Sequence, residues 1–334
     1  MLPQNVAAWI RTPKADLEID EAPYNEPGPG EILIRNEAIA IQPLDASVRK
    51  AAYMPIPYPF ILGSNVAGTI EAVGAGVEDF KIGERVVSST PTYVTKETKW
   101  GGWQKFVSSK PEMTAKIGEA NYDRAVAISF PLSTAVSALQ VYAGMAKPGE
   151  GEKSAYEQEK VLIWGAGGAV GGYAVQYAKS VGHTVIATAS PRSFAHLESV
   201  GASKIVDYKS TDVEAQLREL GPFKFLMTAS GDPTSQQVLA SLLQPNGGRF
   251  ISVRAGEVEL PKNVERIYNM FEAAGQGPEF RHWWYTTYLP EAIGGAVEPT
   301  PTEKRSGGLK AIQAAGDDVF SGKAKSKIIV NPQE

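Results

Sequence analysis

Residues 161–179 read VLIWGAGGAVGGYAVQYAK: four apolar residues run into a knot of glycines, and the knot opens into a helical pattern. The chemistry such a stretch serves is the holding of a phosphate. Its best register is Ala166-x-Gly168-x-x-Gly171, one substitution from the G-x-G-x-x-G fingerprint. In that register Gly168 lets backbone approach a pyrophosphate, and Gly171 lets the helix pack closely on the strand. The backbone of Ala166, Gly167, Gly168, Ala169, Val170 and Gly171 lines the turn, where first-turn N–H groups and the positive end of the helix dipole hold the anion.

The segment beyond the loop bears on which dinucleotide is held. About 20 residues on, an NAD-binding sheet places Asp or Glu on the ribose hydroxyls. Here residues 183–193 read HTVIATASPRS, without an acid; the nearest is Glu198, in the next helix. Ser190 and Arg192 sit just past the strand instead. A 2′-phosphate is an anion that Asp would repel and Arg would pair. The expected cofactor is therefore NADPH, the bland alternative being that Arg192 is a solvated surface residue.

Composition narrows the chemistry further. The chain has no Cys, which excludes disulfides, thiolate zinc sites and a cysteine nucleophile. His183, His196 and His282 stand apart in the chain, so a transition-metal site is not expected. The net charge of −4, with Lys and Arg scattered among acids, argues against a nucleic-acid partner. No signal peptide is read at the N-terminus. Residues 125–146 carry no charge, but Pro131, Ser133, Thr134, Ser137 and Gln140 dilute them. They are expected as a buried helix starting near Pro131 rather than a membrane span. A soluble, cytoplasmic protein follows.

The elements that must position this chemistry divide the 334 residues into about two domains. EILIRNEAIAI (31–41), VAGTIEAVG (66–74), ERVVSS (84–89) and GGWQKFVSS (101–109) read as short strands and suggest a small barrel. After the charged loop at 147–160, five strand–helix alternations begin at VLIW, TVIATA, KIVDY, KFLMTA and RFISV, and predict a parallel, doubly wound sheet. Residues 279–295, with Trp283 and Trp284, read as an amphipathic helix. Residues 309–323 read as a helix ending at Gly322, and 326–330 as a terminal strand.

FILGSNVAGTIEAVGAGVEDFKIGERVV (60–87) resembles the signature block of medium-chain dehydrogenases/reductases. The resemblance continues through PLSTAVSALQVY, the glycine loop, VGASKIVDY, GGRFISV and GGLKAIQ…GKAKSKIIV, nearly the whole chain. It implies an α/β protein. A GroES-like, β-rich catalytic domain would comprise residues 1–124 and 290–334, and a Rossmann, doubly wound NADP-binding domain residues 125–289. Alcohol dehydrogenases of that family hold a catalytic zinc with a Cys and a His-Glu pair. Here Gln42 and Asp45 fall near the Cys position, and Ser64 and Asn65 replace His-Glu. The structural zinc's four cysteines are absent as well.

The chain is more similar to the zinc-independent branch, the quinone oxidoreductases and enoyl reductases. IATASPRSF, the loop at 150–159 and LSTA resemble fungal trans-acting polyketide enoyl reductases. It departs from that branch with Gln42 where relatives usually have Asn, and Asn65 where many have Asp. The resemblance implies a catalytic set of Tyr53, Gln42 and Asn65: Tyr53 as a phenol over the substrate or as apolar packing, the two amides as polar pocket residues. It places Thr134 near the nicotinamide amide, a role compatible with capping a helix N-terminus, for which Ser133 is the alternative cap. Tyr208 is read on the adenosine phosphate side, and Asp45 as bonding loop amides.

The expected function is NADPH-dependent, zinc-independent reduction of an activated C=C bond in an enone or enoyl thioester, in fungal secondary metabolism. Two alternatives stand beside it: a quinone oxidoreductase, and an NADPH-binding protein with a redox-neutral or scaffold role. The expected partner is a small-molecule substrate, free or bound to a carrier protein, with no membrane partner. Monomer and homodimer both fit.

Overall fold

The computed structural model describes residues 3–256 and 258–334. It divides into two compact units, Met1–Phe130 with Gly277–Glu334, and Pro131–Gln276.

The first unit is built from short strands: β1 (Asn5–Ile10), β2 (Leu17–Ala22), β3 (Ile32–Ala40), β4 (Phe60–Ile61), β5 (Asn65–Val73), β6 (Arg85–Ser89), β7 (Phe106–Ser109) and β8 (Thr114–Lys116). Among the described residues, β1 lies between β2 and β4 in a small sheet. β3 pairs antiparallel with β5 and β7, β5 with β6, and β6 with β8. Register shifts at Leu33/Ile34 and Asn36/Ala38 bend β3, as expected where a sheet must curl. Its inner face buries Ile32, Ile34, Val66, Ile70, Val86 and Val107.

Helix Pro43–Ala51 was not anticipated in the sequence. Proline at N1 starts it, because that position needs no N–H donor. Fully buried Arg49 pairs across to Asp317 on helix Ile312–Phe320. That helix also buries Ile312 and Ala315 against Ile10, Val48 and Trp103.

The second unit carries the alternation read in the sequence. Its strands are β9 (Lys160–Trp164), β10 (Thr184–Ala189), β11 (Lys204–Asp207), β12 (Phe225–Thr228), β13 (Gly248–Ser252) and β14 (Val264–Ile267). They form a parallel sheet in the order β11-β10-β9-β12-β13-β14. Val161, Leu162, Ile163 and Trp164 are all buried, as in a sheet covered on both faces. One covering layer packs Leu217 and Leu239 against Leu162, Ile186 and Phe250. The strand order reverses between β9 and β12, and that switch point is where open α/β sheets take their ligands.

The chain ends in the first unit with β15 (Thr302–Arg305) and β16 (Lys327–Val330); β16 pairs antiparallel with β3. The aromatic segment begins as helix Pro278–Trp283 and buries Trp284, Tyr285 and Tyr288.

One helix differs from expectation. The apolar helix begins at Tyr122, not near Pro131, and runs to Val136 with Pro131 inside it. Asn121 Oδ1 accepts the Asp123 N–H at 2.7 Å at its start. Burial of Ala125, Val126, Ala127 and Ile128 favours the helix upstream of the proline and outweighs the bond that Pro131 removes. Continued through a π turn to Tyr142, it is long and apolar enough to cross a membrane, but 72% of its apolar window is buried inside the protein. Such burial marks a core helix.

Candidate active site

In the second unit, β9 ends at Trp164 and helix Ala169–Val181 begins four residues later. Gly165 makes the turn at φ +78°, where a Cβ would be strained. Its N–H donates to Thr188 Oγ1 at 3.1 Å, which ties the loop to β10. At Gly171 an added Cβ would lie 2.5 Å from the Gly165 carbonyl oxygen and 2.7 Å from Ala166 Cα. Helix and loop backbones therefore touch there, and only glycine fits. At Gly168, the N-cap, an added Cβ would meet nothing nearer than 3.7 Å. The space above it is open, and no side chain caps the helix. First-turn N–H groups have no intrahelical acceptor, so Ala169, Val170 and Gly171 present donors to that space.

The loop after β10 meets this cradle: a Cβ on Gly167 would sit 3.0 Å from Ser193 Oγ. Ser190 caps the short turn Pro191–Ser193, and its carbonyl accepts the Ser193 N–H at 2.9 Å. Arg192 is exposed and has no ion pair among the described residues. Tyr208 follows β11, partly exposed, with the Lys209 ammonium 5.8 Å from its ring centre. A glycine cradle at a helix N-terminus fits the pyrophosphate of a dinucleotide. Gly165 also packs against Ser230, in the loop after β12, a neighbour the glycine spacing alone did not reveal. Thr134 and Ser133 lie inside helix Tyr122–Val136, so neither caps it; the expectation of a cap fails because the helix starts twelve residues before Thr134.

The first unit holds a different cluster. Gln42 lies two residues past the end of β3 and is the N-cap of helix Pro43–Ala51, but its side chain is not spent on capping. Ile329 pairs with Ala40, and the antiparallel register two residues on sets Lys327 opposite Gln42. The Lys327 Nζ donates to Gln42 Oε1 at 2.5 Å, Gln42 Nε2 donates to Asn65 Oδ1 at 3.0 Å, and Asn65 Nδ2 donates to the Val126 carbonyl at 3.1 Å and to Ser129 Oγ at 3.2 Å. Both amide residues are buried. The structure thus brings Gln42 and Asn65 into direct contact. Tyr53 lies beyond the same helix with 56% of its surface accessible.

Asp45, one turn along the helix, is fully buried. It accepts from the Tyr93 hydroxyl at 2.5 Å and from Ser64 Oγ at 3.4 Å. Burial pushes its carboxyl up to about 6, against the pull of those hydrogen bonds and of Lys327. Lys327 is half-buried, and its ammonium donates to the Ile41 carbonyl at 3.5 Å as well as to Gln42. Burial holds that ammonium down to about 8, and the Asp45 charge opposes the shift. Lys327, Tyr93 and Ser129 were not singled out in the sequence. A lysine opening an apolar terminal strand, SKIIV, was the available signal for the first.

The chain matches two family models in succession: the alcohol dehydrogenase GroES-like domain over residues 28–119, and the zinc-binding dehydrogenase domain over 169–292. The chain belongs to the medium-chain dehydrogenase/reductase superfamily. It is an oxidoreductase of that superfamily, with a GroES-like unit and a Rossmann unit as the sequence led one to expect. It is 29% identical to the zinc-binding alcohol dehydrogenase domain-containing protein cipB of Emericella nidulans, over 98% of each chain. It is likewise 29% identical to the trans-enoyl reductase himH of Aspergillus japonicus, over 98% of this chain and 97% of that one. Among solved structures, the CurK enoyl reductase shares the fold, with a TM-score of 0.78 at 21% identity over 98% of this chain and 99% of that one.

Members of this superfamily that carry zinc need thiolate, imidazole or carboxylate donors. The cluster here supplies two amides bonded to each other and an ammonium, and the ammonium would repel a dication. Among the described residues no group of three or more His, Cys, Asp or Glu is gathered to hold a metal. The residues present do not fit the zinc of the matched model's name.

Proposed function

We propose that this medium-chain oxidoreductase is an NADPH-dependent, zinc-independent reductase of activated C=C bonds, acting on a small-molecule enone or enoyl thioester in fungal secondary metabolism. The observation that carries the reading is the Lys327–Gln42–Asn65 chain, in which an ammonium holds a buried amide pair whose members stand, by the resemblance, near the Cys and His-Glu positions of zinc-dependent members. Reduction at the β-carbon of an enone asks for positioning and for a hydrogen-bond donor at the enolate oxygen, and needs no metal.

In this reading the cradle from Ala166 to Gly171 holds the pyrophosphate, Ser190 and Arg192 the 2′-phosphate, Tyr208 the adenosine side, and Thr134 the nicotinamide end. NADPH, once bound there, supplies the hydride. Gln42 retains one N–H that is not spent on Asn65, and so can donate to the substrate oxygen. Asn65, with its oxygen and both N–H groups engaged, fixes Gln42 rather than acting directly. Tyr53, exposed on its loop, contacts the substrate in this reading. The relatives named as trans-enoyl reductases support the reaction class, and the absence of an acid after β10 supports the choice of NADPH.

The test is isotopic. NADPH deuterated at the nicotinamide C4 position, with an enone or enoyl thioester, should deliver deuterium to the β-carbon of the saturated product. Label recovered only in a hydroquinone, with enones untouched, would overturn the C=C reading in favour of quinone reduction.

A further inference from the structure

The hydrogen-bond chain through the first unit has polarity fixed at both ends. A lysine ammonium can only donate and a peptide carbonyl can only accept. With Lys327 at one end, Gln42 must turn its oxygen towards it and its NH₂ towards Asn65; Asn65 must then turn its oxygen to Gln42 and its NH₂ to the Val126 carbonyl. Amide orientation is ordinarily ambiguous in a protein structure, but here both ends demand the same answer. A flipped Gln42 would press NH₂ against the ammonium in a buried site, where like polarity is costly.

We propose that Lys327 is a positioning residue for the reduction: its ammonium locks the Gln42 amide, and so leaves one polarised Gln42 N–H as the donor for the substrate's carbonyl oxygen. The inference rests on the C=C reductase reading for what Gln42 does, but not for what Lys327 does to Gln42. The charged and titratable groups around the ammonium are few. Asp45 acts on it from helix Pro43–Ala51, with Tyr93 bonded to that carboxylate. On the neighbouring strand β15, Thr302 stands opposite Lys327, and Glu303 is engaged by Arg305 and Ser326. Asp45 is thus the charge that supports the lock, and titration of Lys327 should release it.

The experiment has two arms. In the first, protein labelled with ¹⁵N in glutamine side chains and ¹³C at lysine Cε is titrated without substrate. The Gln42 amide resonances should shift with the same midpoint as Lys327, near pH 8, and Lys327→Met should abolish that transition. A Gln42 amide indifferent to the titration overturns the proposal.

In the second arm, Lys327→Met and Lys327→Arg are compared with the parent for enone reduction, with melting checked for each. Lys327→Met should lower kcat about tenfold or more, the scale of a hydrogen bond to a charged group, with the NADPH dissociation constant unchanged within about twofold. Lys327→Arg, charged throughout the range, should retain most of kcat and move the alkaline limb of its pH profile upward. An unchanged kcat in the Met variant, or an unchanged limb in the Arg variant, overturns the role. If the parent reduces no enone at all, the reaction assignment fails while the first arm still decides the lock.

Discussion

Gly168 and Gly171 lie three residues apart in one loop, and the structure assigns them opposite duties. A methyl group on Gly171 would lie 2.5 Å from the Gly165 oxygen, 2.7 Å from Ala166 Cα and 3.0 Å from the Gly165 carbonyl carbon. All three are backbone atoms that cannot rotate away. Overpacking of this kind costs about 1–3 kcal/mol, and for a unit of this size each kcal/mol moves Tm by about 4 °C. Gly171→Ala should therefore melt about 4–12 °C lower. A methyl group on Gly168 meets only the Gly165 oxygen, at 3.7 Å, and the backbone there (φ −89°, ψ 166°) is open to any residue. Gly168→Ala should cost no more than about 1 kcal/mol, the scale by which alanine is the poorer residue at an N-cap. That methyl fills the space through which a pyrophosphate is proposed to reach the helix N–H groups, so NADPH affinity should fall about tenfold or more, a loss of about 1.4 kcal/mol. Calorimetric melting and fluorescence titration with NADPH read the two effects separately. A Gly171→Ala protein that melts with the parent, or a Gly168→Ala protein that binds NADPH like the parent, would refute this division.

Three further outcomes follow from the site. Arg192→Glu puts a carboxylate where the 2′-phosphate is proposed to sit, and should weaken NADPH about tenfold or more while NADH changes far less, measured by paired titrations; equal losses for both would remove Arg192 from the phosphate. Tyr53→Phe keeps the ring and deletes the donor, so steady-state kinetics should show kcat reduced if the phenol serves the enolate, and undiminished turnover would leave Tyr53 as packing. Asp45 titrates at about 6 when folded against an ordinary 3.8, so the folded state holds this proton more tightly. Its contribution to stability is present in acid and is lost as pH rises through about 6, to the extent of about 3 kcal/mol at 1.36 kcal/mol per unit. Urea unfolding of Asp45→Asn alongside the parent should show the two diverging across that window, and parallel curves would contradict the burial argument.

The Rossmann unit was legible because its signals are local. Apolar runs such as VLIW, each closed by a glycine or a turn, mark strands buried on both faces, and the alternation fixed a parallel sheet before any contact was known. The glycine cradle was legible for the same reason: strand, turn and helix are contiguous. The other cluster was only half visible. Gln42 and Asn65 stood out through what they replace, but Lys327 is 285 residues from Gln42 and reaches it through the antiparallel register of β16 on β3. No local pattern encodes that pairing. Helix Pro43–Ala51 was hidden because PLDASVRKA is short and opens with a proline, which reads as a breaker until it is seen at N1. Pro131 misled in the opposite sense: it suggested a helix start, yet the packing of Ala125 to Ile128 carries the helix through it.

The central claim is NADPH-dependent reduction of an activated C=C bond. It is tested most directly by following the loss of reduced-nicotinamide absorbance with purified protein, offering enones, enoyl thioesters and quinones in turn, each with NADPH and with NADH. Oxidation tied to an enone or enoyl thioester, with NADPH strongly preferred, is the predicted result. Oxidation with quinones alone, or tight NADPH binding without turnover of any acceptor, would contradict it.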